Sequence, residues 1–114
     1  MTEEEIKRII DLSQKLIELI RKDHNKSSKK EDLENQANDI LYWQIEYSAY
    51  RIKAEQAFRA RIREIMLNEN SSFAGAENQA MTEEFYYTYK RTKYISEISE
   101  EKVKVLKLMI GSSY

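Results

Sequence analysis

Two stretches of this chain bring cations and aromatic rings together. Residues 51–63 carry Arg51, Lys53, Arg59, Arg61 and Arg63, with Glu55 as the only acid in the span. Residues 86–94 read Tyr86-Tyr87-Thr88-Tyr89-Lys90-Arg91-Thr92-Lys93-Tyr94. On a helix Tyr86, Lys90 and Lys93 share one face, and Tyr89 borders it. Rings that stack on bases, beside cations that pair with phosphates, are what a surface for single-stranded nucleic acid needs. The same residues also have a plainer use. Tyrosine at helical spacing commonly packs half-buried with a wet hydroxyl, and cations on a long helix usually face water. Glu97, Glu100 and Glu101 follow directly, so the basic zone is bounded rather than continuous.

A second constellation is polar and points inward. Gln44, Ser48, Arg51, Glu55 and Arg59 fall within the arc of a helix that otherwise reads as core-facing. Arg51 and Arg59 each lie four residues from Glu55, within reach along a helix. Burying a charge is costly unless it is paired. Gln44, Arg51, Glu55 and Arg59 therefore read as a buried polar layer that sets helix register or oligomer state, opposite Thr88, Thr92 and Ser99, or as residues simply exposed where the first helix fails to reach. The sharper reading is a pocket or partner site.

Other chemistries lack their residues. The 114-residue chain has no cysteine and one histidine, which removes disulfides, thiolate sites and multi-histidine metal centres within one chain. His24 sits in a polar loop beside Asp23, where solvation is its ordinary state. No phosphate-binding glycine loop, zincin motif, serine elbow or EF-hand pattern occurs. The expectation is a protein that is not an enzyme and uses no cofactor or metal. The net charge is −1, which favours neither nucleic acid nor membrane in bulk. No apolar run approaches the ~20 residues of a membrane span. The Thr2-Glu3-Glu4-Glu5 opening resembles neither a signal nor a transit peptide, so a soluble cytoplasmic protein with no membrane partner is expected.

The elements that must position these residues are helices. There is no proline, and glycine occurs only at 75 and 111. A first helix is predicted over 3–22, started by a capping box of Thr2 with Glu5. Its apolar positions are Ile6, Ile9, Ile10, Leu12, Leu16, Ile17, Leu19 and Ile20, wide enough to touch two neighbours. A second helix is predicted over 29–68, with Ser28 and Glu31 as its capping box. Its main stripe is Leu33, Ala37, Ile40, Gln44, Tyr47, Arg51, Ala54, Phe58, Ile62 and Ile65, at the alternating steps of a coiled coil. Leu41, Ile45, Ser48, Ile52, Arg59 and Met66 form a second stripe beside it.

Asn68 to Ser72 is turn-forming, and residues 73–81 fit either the start of the next helix or a separate short segment. A third long helix is predicted over 82–110. Thr88, Thr92, Ile95, Ser99, Val103 and Leu106 lie on one stripe, and Tyr87, Tyr94, Ile98, Val105 and Leu108 on another. Gly111 is expected at the left-handed position that ends it. The fold class is all-α: three antiparallel helices in one domain, 1–114, with a long central helix and coiled-coil-like packing. The second helix outruns the first, so part of its apolar face should lack cover within one chain. Homo-oligomerisation follows as the expected behaviour.

From Ala54 onward, the chain resembles the small helical proteins encoded in the early regions of bacteriophages. The resemblance rests on Ala54, Ala57, Ala60-Arg61, the segment Ser72-Phe73-Ala74-Gly75-Ala76-Glu77-Asn78-Gln79-Ala80, then Tyr86 and Tyr89-Lys90-Arg91. It implies an accessory or inhibitor role in the host cytoplasm, not a reaction. The leading expectation is thus an oligomeric protein–protein interaction module. The alternative is a single-stranded nucleic-acid-binding accessory of recombination or replication.

Overall fold

The computed structural model describes residues 1–23 and 29–111. It holds four helices: α1 (Glu3–Ile20), α2 (Lys30–Glu69), α3 (Phe73–Ala80) and α4 (Glu84–Gly111). The fold is all-helical with a long central helix. Residues 73–80, which the sequence leaves open between the start of the next helix and a separate segment, form a fourth, short helix beside the three predicted.

The ends of the helices follow local chemistry. The Thr2 hydroxyl accepts from the Glu5 N–H at 3.1 Å, and the Thr2 N–H donates to the Glu5 carboxylate at 3.1 Å, completing the capping box. Lys29 is the cap of α2 and offers no side-chain bond. Ser28, expected to cap it, lies outside the described residues, as does His24. Glu31 and Asp32 still face the positive end of the α2 dipole. At the other end Asn70 takes the left-handed conformation, φ 50° and ψ 37°, which asparagine tolerates better than most side chains.

That turn releases the chain into α3. Ser72 accepts from the Gly75 N–H at 3.2 Å, and residues 73–80 continue as a helix of their own. Gly111, by contrast, keeps a negative φ and is the last residue of α4. The left-handed helix end expected there occurs at Asn70 instead.

α2 sets the shape. Its 40 residues span about 60 Å at ~1.5 Å each, and the molecule measures 61 × 27 × 17 Å. The radius of gyration is 18.1 Å, against about 13 Å for a compact domain of similar length. Along α2, Lys53 meets Glu5, Tyr47 meets Ser13 and Gln36 meets Leu19, so α1 runs against it. Gln44 meets Ser96, Phe58 meets Tyr86 and Tyr89, and Arg61 meets Glu83, so α4 does too.

Two hydrophobic clusters result. The larger joins Ile9, Leu12, Leu16 and Leu19 of α1 to Leu33, Ala37, Ile40 and Tyr47 of α2 and to Ile95, Val103 and Leu106 of α4. The smaller joins Phe58, Ile62 and Ile65 of α2 to Ala76 and Ala80 of α3, with Tyr86 and Tyr89 packed against it. The expected uncovered end of α2 is therefore covered. α1 stops at the level of Lys53, and α3 takes its place as the third layer. Alanines on α3 let it approach closely, which explains why a short helix suffices.

Candidate interaction surfaces

The structure separates the basic residues that the sequence groups together. Lys53 reaches across to α1, its ammonium 2.8 Å from the Glu5 carboxylate. That hydrogen bond, aided by the Thr2 backbone N–H, holds the Glu5 carboxyl at about 2, well below its ordinary 4.5. Lys53 is pushed up in return, first by the same bond. Arg61 grips Glu83 through two nitrogens at 2.7 and 2.9 Å and touches Glu64 at 3.0 Å. The Glu83 carboxyl is lowered by that grip, and the Arg61 guanidinium is raised. Lys53 and Arg61 thus tie α2 to its neighbours, and their charge is met within the chain.

The remaining candidates do not form one surface. Arg59, Arg63 and Tyr89 line one groove with Phe58, Ile62, Phe73 and Glu77, enclosing about 520 Å³. Its floor is apolar, because Phe58 and Ile62 are buried. Its rim carries two guanidiniums one helical turn apart. Arg59 also pairs with Glu55 at 2.8 Å, while Arg63 is exposed. Phe73, at the start of α3, is 57% exposed over this groove. Tyr89 stacks on Phe58 and Tyr86 packs tilted against it, with ring centroids 5.5 and 5.3 Å away, so both are packing residues as well as surface ones. The Lys90 ammonium lies 5.9 Å from the Tyr86 ring centre. Lys93 lines a shallower depression along α4 with Lys90, Arg91, Tyr94 and Glu97. Phe73 and Glu77 are the members of the groove that their ambiguous segment keeps out of the sequence candidates.

The polar interior is also differently composed. Gln44, Arg51 and Glu55 are half-buried and Arg59 is exposed, so the expected buried layer does not form; beyond Lys53, where α1 ends, no third long helix among the described residues covers Glu55 and Arg59. Among the described residues, the buried polar side chains are Ser13, Gln36, Thr92, Ser96 and Ser99. Ser13 donates to the Ile9 carbonyl at 2.6 Å. With that proton committed, the buried Tyr47 hydroxyl is the donor in its 2.8 Å bond to Ser13. Burial pushes the Tyr47 hydroxyl pKa up. Gln36 reaches from α2 to the Leu19 and Lys22 carbonyls at 2.6 and 3.0 Å, satisfying the open C-terminal end of α1. Thr92 and Ser99 bond back to Tyr89 and Ile95 of their own helix. Ser96 Oγ is buried with no hydrogen-bond partner among the described residues.

The most exposed apolar groups of α2's middle lie on its second stripe. Leu41 is 40%, Ile45 76% and Ile52 56% exposed, and Tyr42 is exposed beside them. The sequence pattern assigns this stripe to a second helical neighbour; Met66 at its end packs against the smaller cluster, yet among the described residues no helix covers Leu41, Ile45 and Ile52. Tyr87, Tyr94, Val105 and Leu108 of α4's second stripe are exposed as well.

Among the described residues, no group of three or more Asp, Glu or His side chains is placed to hold a metal. No helix there is long and apolar enough to cross a membrane. Compared with known proteins, the chain matches no family profile, no curated protein and no solved structure.

Proposed function

We propose that this chain is a non-enzymatic helical interaction module that self-associates through the middle of α2. In this reading three long helices alternate in direction with coiled-coil-like packing, and the fourth, short one closes the far end. The observation that carries it is the exposure of Leu41, Tyr42, Ile45 and Ile52 within about three turns of one helix. Apolar side chains concentrated in this way mark a surface that a partner covers. Their neighbours do not conceal them, because Ser48 and Ala49 at the centre are small and exposed.

Thermal melts at rising protein concentration test the proposal. Association raises the melting temperature with concentration by mass action. The native chain should show that rise. Ile45→Glu should abolish it while leaving the melting temperature at the lowest concentration unchanged, since Ile45 contributes little to the monomer core. A native chain whose melting temperature ignores concentration contradicts the proposal.

A second reading is supported by the groove of Arg59, Arg63, Phe73 and Tyr89. An exposed ring above a pair of guanidiniums suits an unpaired base with its phosphate. Binding of an oligothymidylate should then fall steeply between low and physiological salt. It should weaken further with Arg63→Glu. Failure to bind at low salt removes this reading and leaves the first untouched.

A further inference from the structure

We propose that α2 pairs antiparallel with α2 of a second copy, about a two-fold axis passing between Ser48 and Ala49. This inference rests on the self-association proposed above and specifies its geometry.

The argument begins with the pattern on the free flank. In a two-fold interface, if one residue of a copy meets another in its partner, the reciprocal contact is made as well. With the axis between Ser48 and Ala49, Ile45 of each copy lies opposite Ile52 of the other. These are the two most exposed aliphatic side chains of the stripe. Leu41 then lies opposite the stem of Gln56, and Tyr42 opposite Glu55. At the axis itself stand Ser48 and Ala49, both exposed. Small side chains at the crossing point let two helices approach to the ~8–10 Å of close packing.

The charges on the same flank agree with that register. Arg63 falls opposite Glu34 of the partner, and Arg59 opposite Asn38. Glu34 keeps nearly half of its side chain in solvent although Lys30 lies 3.6 Å away, so its carboxylate can accept a second cation. Arg63 is exposed. Each copy therefore presents a base at one end of the stripe and an acid at the other, with the apolar residues between. A parallel pairing in register would instead set Arg63 against Arg63 and Glu34 against Glu34. Charge thus favours one direction, and the isoleucines favour one register. From Glu34 to Arg63 the contact extends along about 45 Å of α2 at ~1.5 Å per residue.

Because the chain has no cysteine, one introduced cysteine can form a disulfide only between copies. Ser48→Cys sits beside the axis, where the two Cα atoms can approach to the ~7 Å or less that a disulfide requires. Ala60→Cys lies on the exposed side of the same helix, and in this arrangement its two copies are about 35 Å apart. Mild oxidation should convert most Ser48→Cys to a covalent dimer and leave Ala60→Cys uncrosslinked. Equal crosslinking of both variants overturns the antiparallel direction. A reduced Ser48→Cys that sediments as a dimer yet does not crosslink overturns this register while self-association stands. A reduced chain that sediments as a monomer at every concentration defeats both. The charge pairing has its own check. Arg63→Glu should weaken the dimer about fivefold, and adding Glu34→Arg should restore it. A double variant no tighter than the single one overturns the Arg63–Glu34 contact.

Discussion

The two ends of α2 are buried by different means. From Leu33 to Tyr47, two long helices enclose it, and the interior includes Ile40, Leu16 and Leu106, all fully buried. From Phe58 to Ile65, a short helix of small residues and two tyrosine rings do the work. The first end can bury polar groups because rigid helices on both sides hold their partners in place. Gln36 and Tyr47 are fixed this way. The second end keeps its polar groups at the rim, as the Arg61–Glu83 bridge and the open groove beside Arg63. Thickness of cover thus decides where α2 can bury polar groups and where it keeps them at the rim.

Paired truncations would sharpen this contrast most. Ile40→Ala should cost about 4 kcal/mol, because a cavity between three long helices cannot collapse. Ile65→Ala should cost about 2–3 kcal/mol, because the short α3 can settle inward. Urea unfolding of the two variants measures the difference, and equal losses would break the distinction between the halves. Gln36→Leu should follow at about 2 kcal/mol, since it strips the partner from the buried Leu19 carbonyl and from the part-buried Lys22 carbonyl at the end of α1. Hydrogen exchange should then show the last turn of α1 opening first.

A gain of stability is expected at Ser96→Ala. The substitution removes a buried hydroxyl with no partner and favours the helix, so it should add about 1 kcal/mol. A loss there would mean that the hydroxyl has an acceptor when the protein is in solution.

The smallest effect concerns pH. The folded Glu5 carboxyl titrates at about 2 rather than 4.5. Its contribution is therefore present above pH 4.5 and is lost as pH falls through 2. Glu83 is shifted in the same direction. The melting temperatures of the native chain and Glu5→Gln should converge as pH drops from about 4.5 to 2. A gap that stays constant across that window would exclude the Lys53–Glu5 bridge as its source.

Much of this architecture was legible in the residues, and the reason is periodicity. Leu33, Ala37, Ile40, Tyr47, Ala54, Phe58, Ile62 and Ile65 repeat at helical steps and are all buried. The Thr2–Glu5 cap is local and equally readable. What escaped depends on distance along the chain. Lys53 finds its acid 48 residues away, and Arg61 finds Glu83 22 residues away, so a cluster of cations in sequence became two tethers and a groove in space. Gln36 carries no sign that it will cap another helix. Residues 73–80 were ambiguous because Gly75 weakens a helix whose alanines favour it, and the Ser72 cap with a buried face on α2 decides the matter. Leu41, Ile45 and Ile52 were recognised as a stripe, but periodicity cannot say whether the neighbour belongs to the same chain.

The mass in solution tests the central claim most directly. Light scattering of the native chain at micromolar concentration should give twice the 13.6 kDa of one copy. Ile45→Glu should return the mass of a single copy. A native chain that scatters as a monomer throughout that range would contradict the account of α2 as a self-complementary docking helix.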